Sequence, residues 1–115
     1  EFFYQLEGGM ILRIIENGKP KDINIDEGEI FLLPPKIPHS PQRFKNSVGL
    51  VVERKRREDE LDAFQWYCDK CHLLLYEKYL VLTNIVTQLP PIFECFWNND
   101  DARTCKNCNA YLDKP

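Results

Sequence analysis

Gly28-Glu-Ile-Phe-Leu-Leu-Pro-Pro-Lys-Ile-Pro-His39 is the stretch on which the reading of the fold turns. Ile30–Leu33 is a continuous apolar run of the kind buried between two sheets, entered through Asp26-Glu27-Gly28 and stopped by Pro34-Pro35. Upstream, Lys21–Ile25 alternates polar and apolar residues, and the preceding Asn17-Gly18 suits a tight type I′ hairpin. Met10–Ile15 and the aromatic-rich Glu1–Leu6 complete that half, separated by Gly8-Gly9. Downstream, His39–Phe44 and Gly49–Arg54 flank Asn46-Ser47 and read as two further strands. Five or six short strands at even spacing predict a mainly β fold, an antiparallel sandwich or barrel.

At 115 residues the chain can bury one modest core. With 43% hydrophobic, 12% aromatic and 29% charged residues it is globular in composition, which sets aside disorder, collagen and coiled coil. A net charge of -3 leaves no basic footprint for nucleic acid or an anionic membrane. Its apolar runs fall far short of the ~20 residues of a membrane span. No charged-then-apolar signal segment stands at the start. A soluble, cytoplasmic protein is expected, with neither nucleic acid nor membrane as partner. Because the chain opens at Glu1 without an initiator Met, its natural start is expected upstream.

The text changes at Arg54–Asp62, where four basic residues precede four acidic ones and apolar content collapses. Such a mixed run reads as a solvated linker or an exposed helix. The expected organisation is therefore a β region over 1–57, then a linker, a helical segment and a Cys-rich subdomain over 58–115. Within the latter, Ile85, Val86, Leu89, Ile92, Phe93, Phe96 and Trp97 recur at helical spacing, and core packing is the simplest reading of that stripe. Pro90-Pro91 is expected to kink this helix or to open a second one. No internal repeat is evident.

Cys68-Asp-Lys-Cys71 and Cys105-Lys-Asn-Cys108 are two Cys-x-x-Cys pairs with thirty-three residues between them. Two thiolates at this spacing converge on one ion from a tight knuckle, and two knuckles complete a tetrahedral shell of four sulfurs. Such a closed shell has no position for substrate, so its role is structural, supplying folding energy to a segment with a thin core. The rival is a disulfide framework, which an odd count of five cysteines and the lack of a secretory signature disfavour. Zinc and iron both suit the site. Cys95, in the helical stretch, reads as a small buried hydrophobe, and His72 as a substitute ligand that four thiols leave unneeded.

Glu1 is followed after six residues by Gly8, and Gly28 after five by Pro34 and then, four further on, by His39. These are the spacings E-x6-G and G-x5-P-x4-H of the two short cupin motifs, with Lys36 in place of the usual inner Gly of the second. Glu1-Phe-Phe-Tyr-Gln-Leu6, Ile30-Phe-Leu-Leu-Pro-Pro35, Pro38-His-Ser-Pro-Gln-Arg43 and Val51-Val-Glu-Arg54 resemble the 3-hydroxyanthranilate 3,4-dioxygenase family. Trp66-Tyr-Cys-Asp-Lys-Cys71, Ile85-Val-Thr-Gln-Leu-Pro-Pro91 and Arg103-Thr-Cys-Lys-Asn-Cys108 look like its bacterial-type form, which carries a rubredoxin-like metal knuckle. The resemblance covers essentially the whole chain but begins partway into the family's sequence.

What the resemblance implies is a cupin barrel, a double-stranded β-helix or jelly roll, incomplete at its N-terminus, with short helices and a small C-terminal four-cysteine knuckle. The family opens an aromatic ring with O2 at a non-haem Fe(II) held on one face by two His and one carboxylate. Its product is 2-amino-3-carboxymuconate semialdehyde, in the kynurenine route through quinolinate to NAD. By match to the motifs, Glu1 is the carboxylate ligand and His39 a histidine ligand, while the first His is expected a few residues before Glu1. With two of three ligands, the chain as given is expected to hold iron weakly and turn over poorly.

Arg43, four residues after His39 and so on the same strand face, can grip the substrate carboxylate as a fork, the part its family counterpart plays. The matching Pro41 orients the substrate through its backbone carbonyl, or is simply an edge-strand breaker. Glu53 ends an otherwise apolar strand, where an inward carboxylate needs a partner. The family sets this Glu beside the substrate's hydroxyl and amine as proton acceptor; the alternative is pairing with Arg54 or Arg43. Phe3 and Phe31 line the ring's apolar wall or serve as core.

The resemblance thus implies 3-hydroxyanthranilate and O2 as partners, Fe(II) at the first site and a second iron or zinc at the four-cysteine site. By family analogy a homodimer is expected, though no residue marks its interface. Two rival readings of the sequence stand beside this one: a non-catalytic cupin binding a small carboxylate, and a zinc-ribbon interaction module or rubredoxin-like electron carrier.

Overall fold

The computed structural model describes residues 1–115. The chain divides into two compact units, Glu1–Lys55 and Arg56–Pro115, so the junction falls inside the charged run.

The first unit contains β1 (Phe2–Glu7), β2 (Met10–Glu16), β3 (Lys19–Ile25), β4 (Ile30–Leu32), β5 (His39–Arg43) and β6 (Val48–Val52). They form two three-stranded antiparallel sheets, ordered β4-β1-β6 and β3-β2-β5. The β2–β3 hairpin turns through Asn17 and Gly18 at φ 53° and 75°, the pair of positive values that a type I′ turn requires. Alternation along each strand sends one face inward. Phe3 and Leu33 meet Met10, Leu12, Ile14 and Ile25 in one buried cluster, against which Ile23, Phe31, Ile37 and Val51 pack. This is the mainly β architecture that the strand text predicts, and it is consistent with the cupin type that the resemblance implies.

Ile30–Leu33 departs from expectation, because it is not buried along its whole length. Ile30 is 62% and Leu32 73% exposed, whereas Leu33 is buried. The cause is period-two geometry in a sheet with one core face. Register sets Leu32 and Val52 on either side of Phe2, and Ile30 and Leu50 on either side of Tyr4, all on the outer surface.

The second unit holds β7 (Asp62–Tyr67), β8 (Leu74–Leu80), α1 (Ile85–Trp97) and α2 (Asp100–Arg103). β7 and β8 form an antiparallel hairpin, from Asp62 opposite Leu80 to Tyr67 opposite Leu74, which sequence reasoning does not anticipate. Its turn is the first cysteine knuckle rather than a Gly-containing loop, so the usual hairpin signature is missing. Asn84 caps α1, its side chain accepting from the N–H groups of Val86 (2.9 Å) and Thr87 (3.3 Å).

α1 runs through Pro90 and Pro91 as one element, so no second helix opens at the prolines. The carbonyls four residues back, on Val86 and Thr87, lose their donors but belong to exposed residues, where water can serve them. The apolar stripe is core only in part. Ile92 and Phe96 are buried, Phe93 is 38% exposed, and Ile85 and Val86 stand largely in solvent. Cys95, contrary to the expectation of burial, is also exposed, because the buried stripe runs from Ile92 to Phe96 and Cys95 lies off it.

Phe96 stacks on Trp66 with centroids 4.5 Å apart, and Phe93 meets Trp66 edge-on at 5.7 Å. Arg103 lies between the rings of Trp97 and Tyr111, and donates to the carbonyls of Trp97 (2.8 Å) and Leu112 (2.9 Å). No helix is long and apolar enough to cross a membrane.

Candidate metal centres and substrate pocket

Glu1 and His39 come together at one end of the first unit. The backbone of Glu1 is tied to Leu33 by two hydrogen bonds, Leu33 N–H to Glu1 O at 2.8 Å and Glu1 N to Leu33 O at 3.1 Å. Thirty-eight positions later, His39 opens β5. Its Nδ1 lies 2.9 Å from the carbonyl of Ile37. A carbonyl can only accept, so Nδ1 is the donor there and Nε2 is the nitrogen turned toward Glu1. That Nε2 is 3.3 Å from Glu1 Oε1, and both side chains are about one-quarter exposed. Phe3, fully buried, presents its ring edge-on to the imidazole, with centroids 6.4 Å apart.

These donors fit a small divalent cation. Nitrogen and oxygen ligands about 2.1 Å from such an ion, at right angles, stand about 3 Å apart, close to the separation found. Locking the far ring nitrogen to a carbonyl is the arrangement that orients ligating histidines.

The rest of β5 extends the same face. His39, Pro41 and Arg43 lie opposite Ile14, Leu12 and Met10 and so share one face of β5, although all five residues of that strand are exposed. Arg43 Nη1 reaches Met10 Sδ at 3.7 Å. In sheet β4-β1-β6, Phe3 sits between Phe31 and Val51, and Phe2 pairs with Val52, which brings Glu53, one residue past β6, level with Glu1. Gln5, buried to 1% exposure and donating from Nε2 to Gly8 O at 3.1 Å, faces the interior. Sequence reasoning missed it; the odd-numbered alternation of Glu1 and Phe3 was the available signal.

In the second unit, the sulfurs of Cys68, Cys71, Cys105 and Cys108 all lie within 4.8 Å of one another. Cys68 and Cys108 approach to 3.5 Å, and Cys71 and Cys105 to 3.4 Å. Four sulfurs about 2.3 Å from one ion on a tetrahedron are about 3.8 Å apart, so the set fits zinc or iron. His72 is no part of the cluster.

The two knuckles are built alike, a local repeat invisible in the letters. His72 and Asn109 hold left-handed backbones, at φ 67° and 61°. Their N–H groups donate to Cys68 O (3.0 Å) and Cys105 O (2.9 Å), and the N–H groups of Cys68 and Cys105 donate to Leu73 O and Ala110 O, both at 2.8 Å. Hydrogen bonds from the Asn107 side chain and the Leu73 backbone lower the Cys71 thiol to about 6. The Ala110 backbone favours the Cys108 thiolate, but hydrogen bonding with Cys68 and desolvation outweigh it and push that thiol up to about 12.

A model of the 3-hydroxyanthranilic acid dioxygenase family matches residues 1–97. The chain belongs to this family. Among proteins named 3-hydroxyanthranilate 3,4-dioxygenase, it is 52% identical over all 115 residues to one from Xanthomonas campestris pv. campestris (strain B100). It is also 53% identical over 109 residues, 94% of the chain, to one from Shewanella woodyi, and 51% over the same share to one from Jannaschia sp.. The chain spans 65% of the Xanthomonas relative, 58% of the Shewanella one and 61% of the Jannaschia one. Within this 3-hydroxyanthranilic acid dioxygenase family member, the matched region takes in Glu1, His39, Arg43, Glu53 and the first cysteine knuckle, while Cys105 and Cys108 lie beyond it.

Proposed function

We propose that this chain carries the iron- and substrate-binding face of a dioxygenase that opens the ring of 3-hydroxyanthranilate with O2. The product would be 2-amino-3-carboxymuconate semialdehyde, on the kynurenine route to quinolinate and NAD. The observation that carries the reading is His39 Nε2 standing 3.3 Å from Glu1 Oε1 with its other ring nitrogen committed to Ile37. Family membership and about half identity to three proteins of that name support it.

Glu1 and His39 would hold Fe(II), with a further histidine expected upstream. When bound, the iron supplies the electron and Lewis-acid chemistry that lets O2 react with an aromatic ring. The chain's own residues do the rest. The Arg43 guanidinium forks onto the substrate carboxylate and sets the ring's orientation. Pro41, between Arg43 and His39 on the same face, offers its carbonyl to align the ring. Phe3 closes one side with apolar surface that excludes water. Glu53, level with Glu1, accepts the proton that the substrate hydroxyl loses. The four cysteines hold zinc or a second iron in a closed shell with a structural role. Free thiols aimed at an ion suit a reducing cytoplasm, and pairing of two copies follows by family analogy.

The test uses full-length protein loaded anaerobically with Fe(II), then mixed with 3-hydroxyanthranilate and O2. Oxygen uptake matched to product absorbance is expected. Glu53→Gln should bind substrate yet turn over poorly, and unchanged rates would remove Glu53 from the mechanism. Ligand binding without oxygen uptake would favour the non-catalytic cupin. Visible colour from an oxidised four-sulfur site marks iron; a colourless site marks zinc.

A further inference from the structure

Gly49 lies in β6 directly opposite Gln5 of β1. A Cβ built on Gly49 would overlap Gln5 Oε1 and come within 2.8 Å of Arg43 Nη1. Three strands from both sheets therefore bring an amide oxygen, a guanidinium and a bare Cα to one point, where Gln5 is buried and Arg43 and Gly49 remain open to solvent. Because Gln5 Nε2 is committed to the Gly8 carbonyl, the acceptor end of the amide is the end turned toward Gly49. Gln5 is 1% exposed, so its orientation is fixed by packing rather than by solvent. Arg43 Nη1 itself donates to the thioether of Met10, a weak acceptor. A guanidinium has five N–H donors in a rigid plane. A cradle that aligns Nη1 without neutralising the charge leaves the rest of the fork available.

We propose that Gln5 and Gly49 are positioning residues that make the pocket selective for a ring bearing a carboxylate. Gly49 supplies the vacant volume that lets Arg43 lie along the strand interface, and the Gln5 carbonyl dipole aligns the guanidinium while the neutral amide leaves its positive charge for the ligand. An acidic residue at position 5 would consume that charge in an internal ion pair, and a side chain at position 49 would displace the fork. The inference rests on Arg43 being the carboxylate anchor of the site proposed above.

The experiment compares 3-hydroxyanthranilate with 2-aminophenol, the same ring without the carboxylate, on full-length iron-loaded protein. Dissociation constants are measured anaerobically by calorimetry and turnover is measured separately in O2. Gly49→Ala and the near-isosteric Gln5→Met should each weaken 3-hydroxyanthranilate roughly tenfold or more, since a misaligned fork loses its bidentate contact, while 2-aminophenol binds as before. Gln5→Glu should weaken it further. A merely structural role would weaken both ligands alike, and that result, or unchanged discrimination in Gln5→Met and Gly49→Ala, overturns the proposal. Wild-type protein that fails to prefer the carboxylated ring overturns it as well. A wild type that shows the preference but consumes no O2 would instead remove the dioxygenase reading and leave the cradle standing.

Discussion

His39 Nε2 lies 3.3 Å from Glu1 Oε1 although the two residues are carried by different sheets, Glu1 adjoining β1 and His39 opening β5. Each is anchored locally, Glu1 by its paired backbone bonds to Leu33 and His39 through Ile37. Their meeting depends on the shared core beneath, where Phe3 and Leu33 pack with Leu12 and Ile14.

Removing either donor should therefore cost metal rather than fold. His39→Ala and Glu1→Gln in the full-length protein are expected to lower iron affinity more than about 100-fold, beyond the loss typical of groups that only support a ligand. The thermal midpoint of the metal-free protein should hardly move, because both side chains are partly exposed. Iron content after chelating chromatography and calorimetric melting check the two halves; normal iron loading of either variant would remove that residue from the ligand set.

Arg43→Lys keeps the charge and loses the fork, so KM for 3-hydroxyanthranilate should rise steeply with a smaller change in kcat. Arg43→Ala should lower kcat/KM roughly tenfold or more, because the substrate carboxylate loses both the charge and the fork. Steady-state kinetics decide, and an unaltered KM in both variants would end the assignment of Arg43.

The cysteine site should bind metal more tightly as pH rises. Cys71 is lowered to about 6 from 9.0, so in this window the folded chain binds fewer protons than the unfolded one; that contribution to stability is present above about 9 and is lost as pH falls through about 6. Cys108, raised to about 12, still carries its proton at neutrality and must release it to ligate. Zinc titration of the metal-free protein at pH 7 in weak buffer should release at least one proton per ion. A pH-independent affinity between 6 and 8 would contradict this.

Phe96→Ala should destabilise the second unit by about 3–5 kcal/mol, as for other buried aromatics cut to Ala. The ring is fully buried and stacked on Trp66. Tryptophan fluorescence during urea unfolding would report it. A loss below about 1 kcal/mol would mean that the metal knuckles, rather than the aromatic cluster, dominate that unit's stability.

Six of the eight strands were legible because alternation and turn chemistry agree, most plainly at Asn17-Gly18, whose positive φ angles the letters foretell. Glu1 and His39 were legible only through motif spacing, since no periodicity joins residues on different sheets. β7 and β8 were hidden because their turn is made of cysteine ligands. Of the two readings of the α1 prolines, a second helix fails because an exposed first turn tolerates carbonyls without helical partners. Gln5 escaped because a polar residue in a strand ordinarily signals the solvent face, and here its amide is satisfied inside by Gly8.

Placing His39, Pro41 and Arg43 on one side of a single short strand makes their shared face sensitive to insertion or deletion as a unit. One residue gained or lost between Pro34 and His39, unless absorbed by the loop, would slip β5 against β2 and turn all three side chains to the other face together. An extra residue should be absorbed more readily in a segment such as Arg54–Glu60, which lies outside every strand and helix and so sets no register.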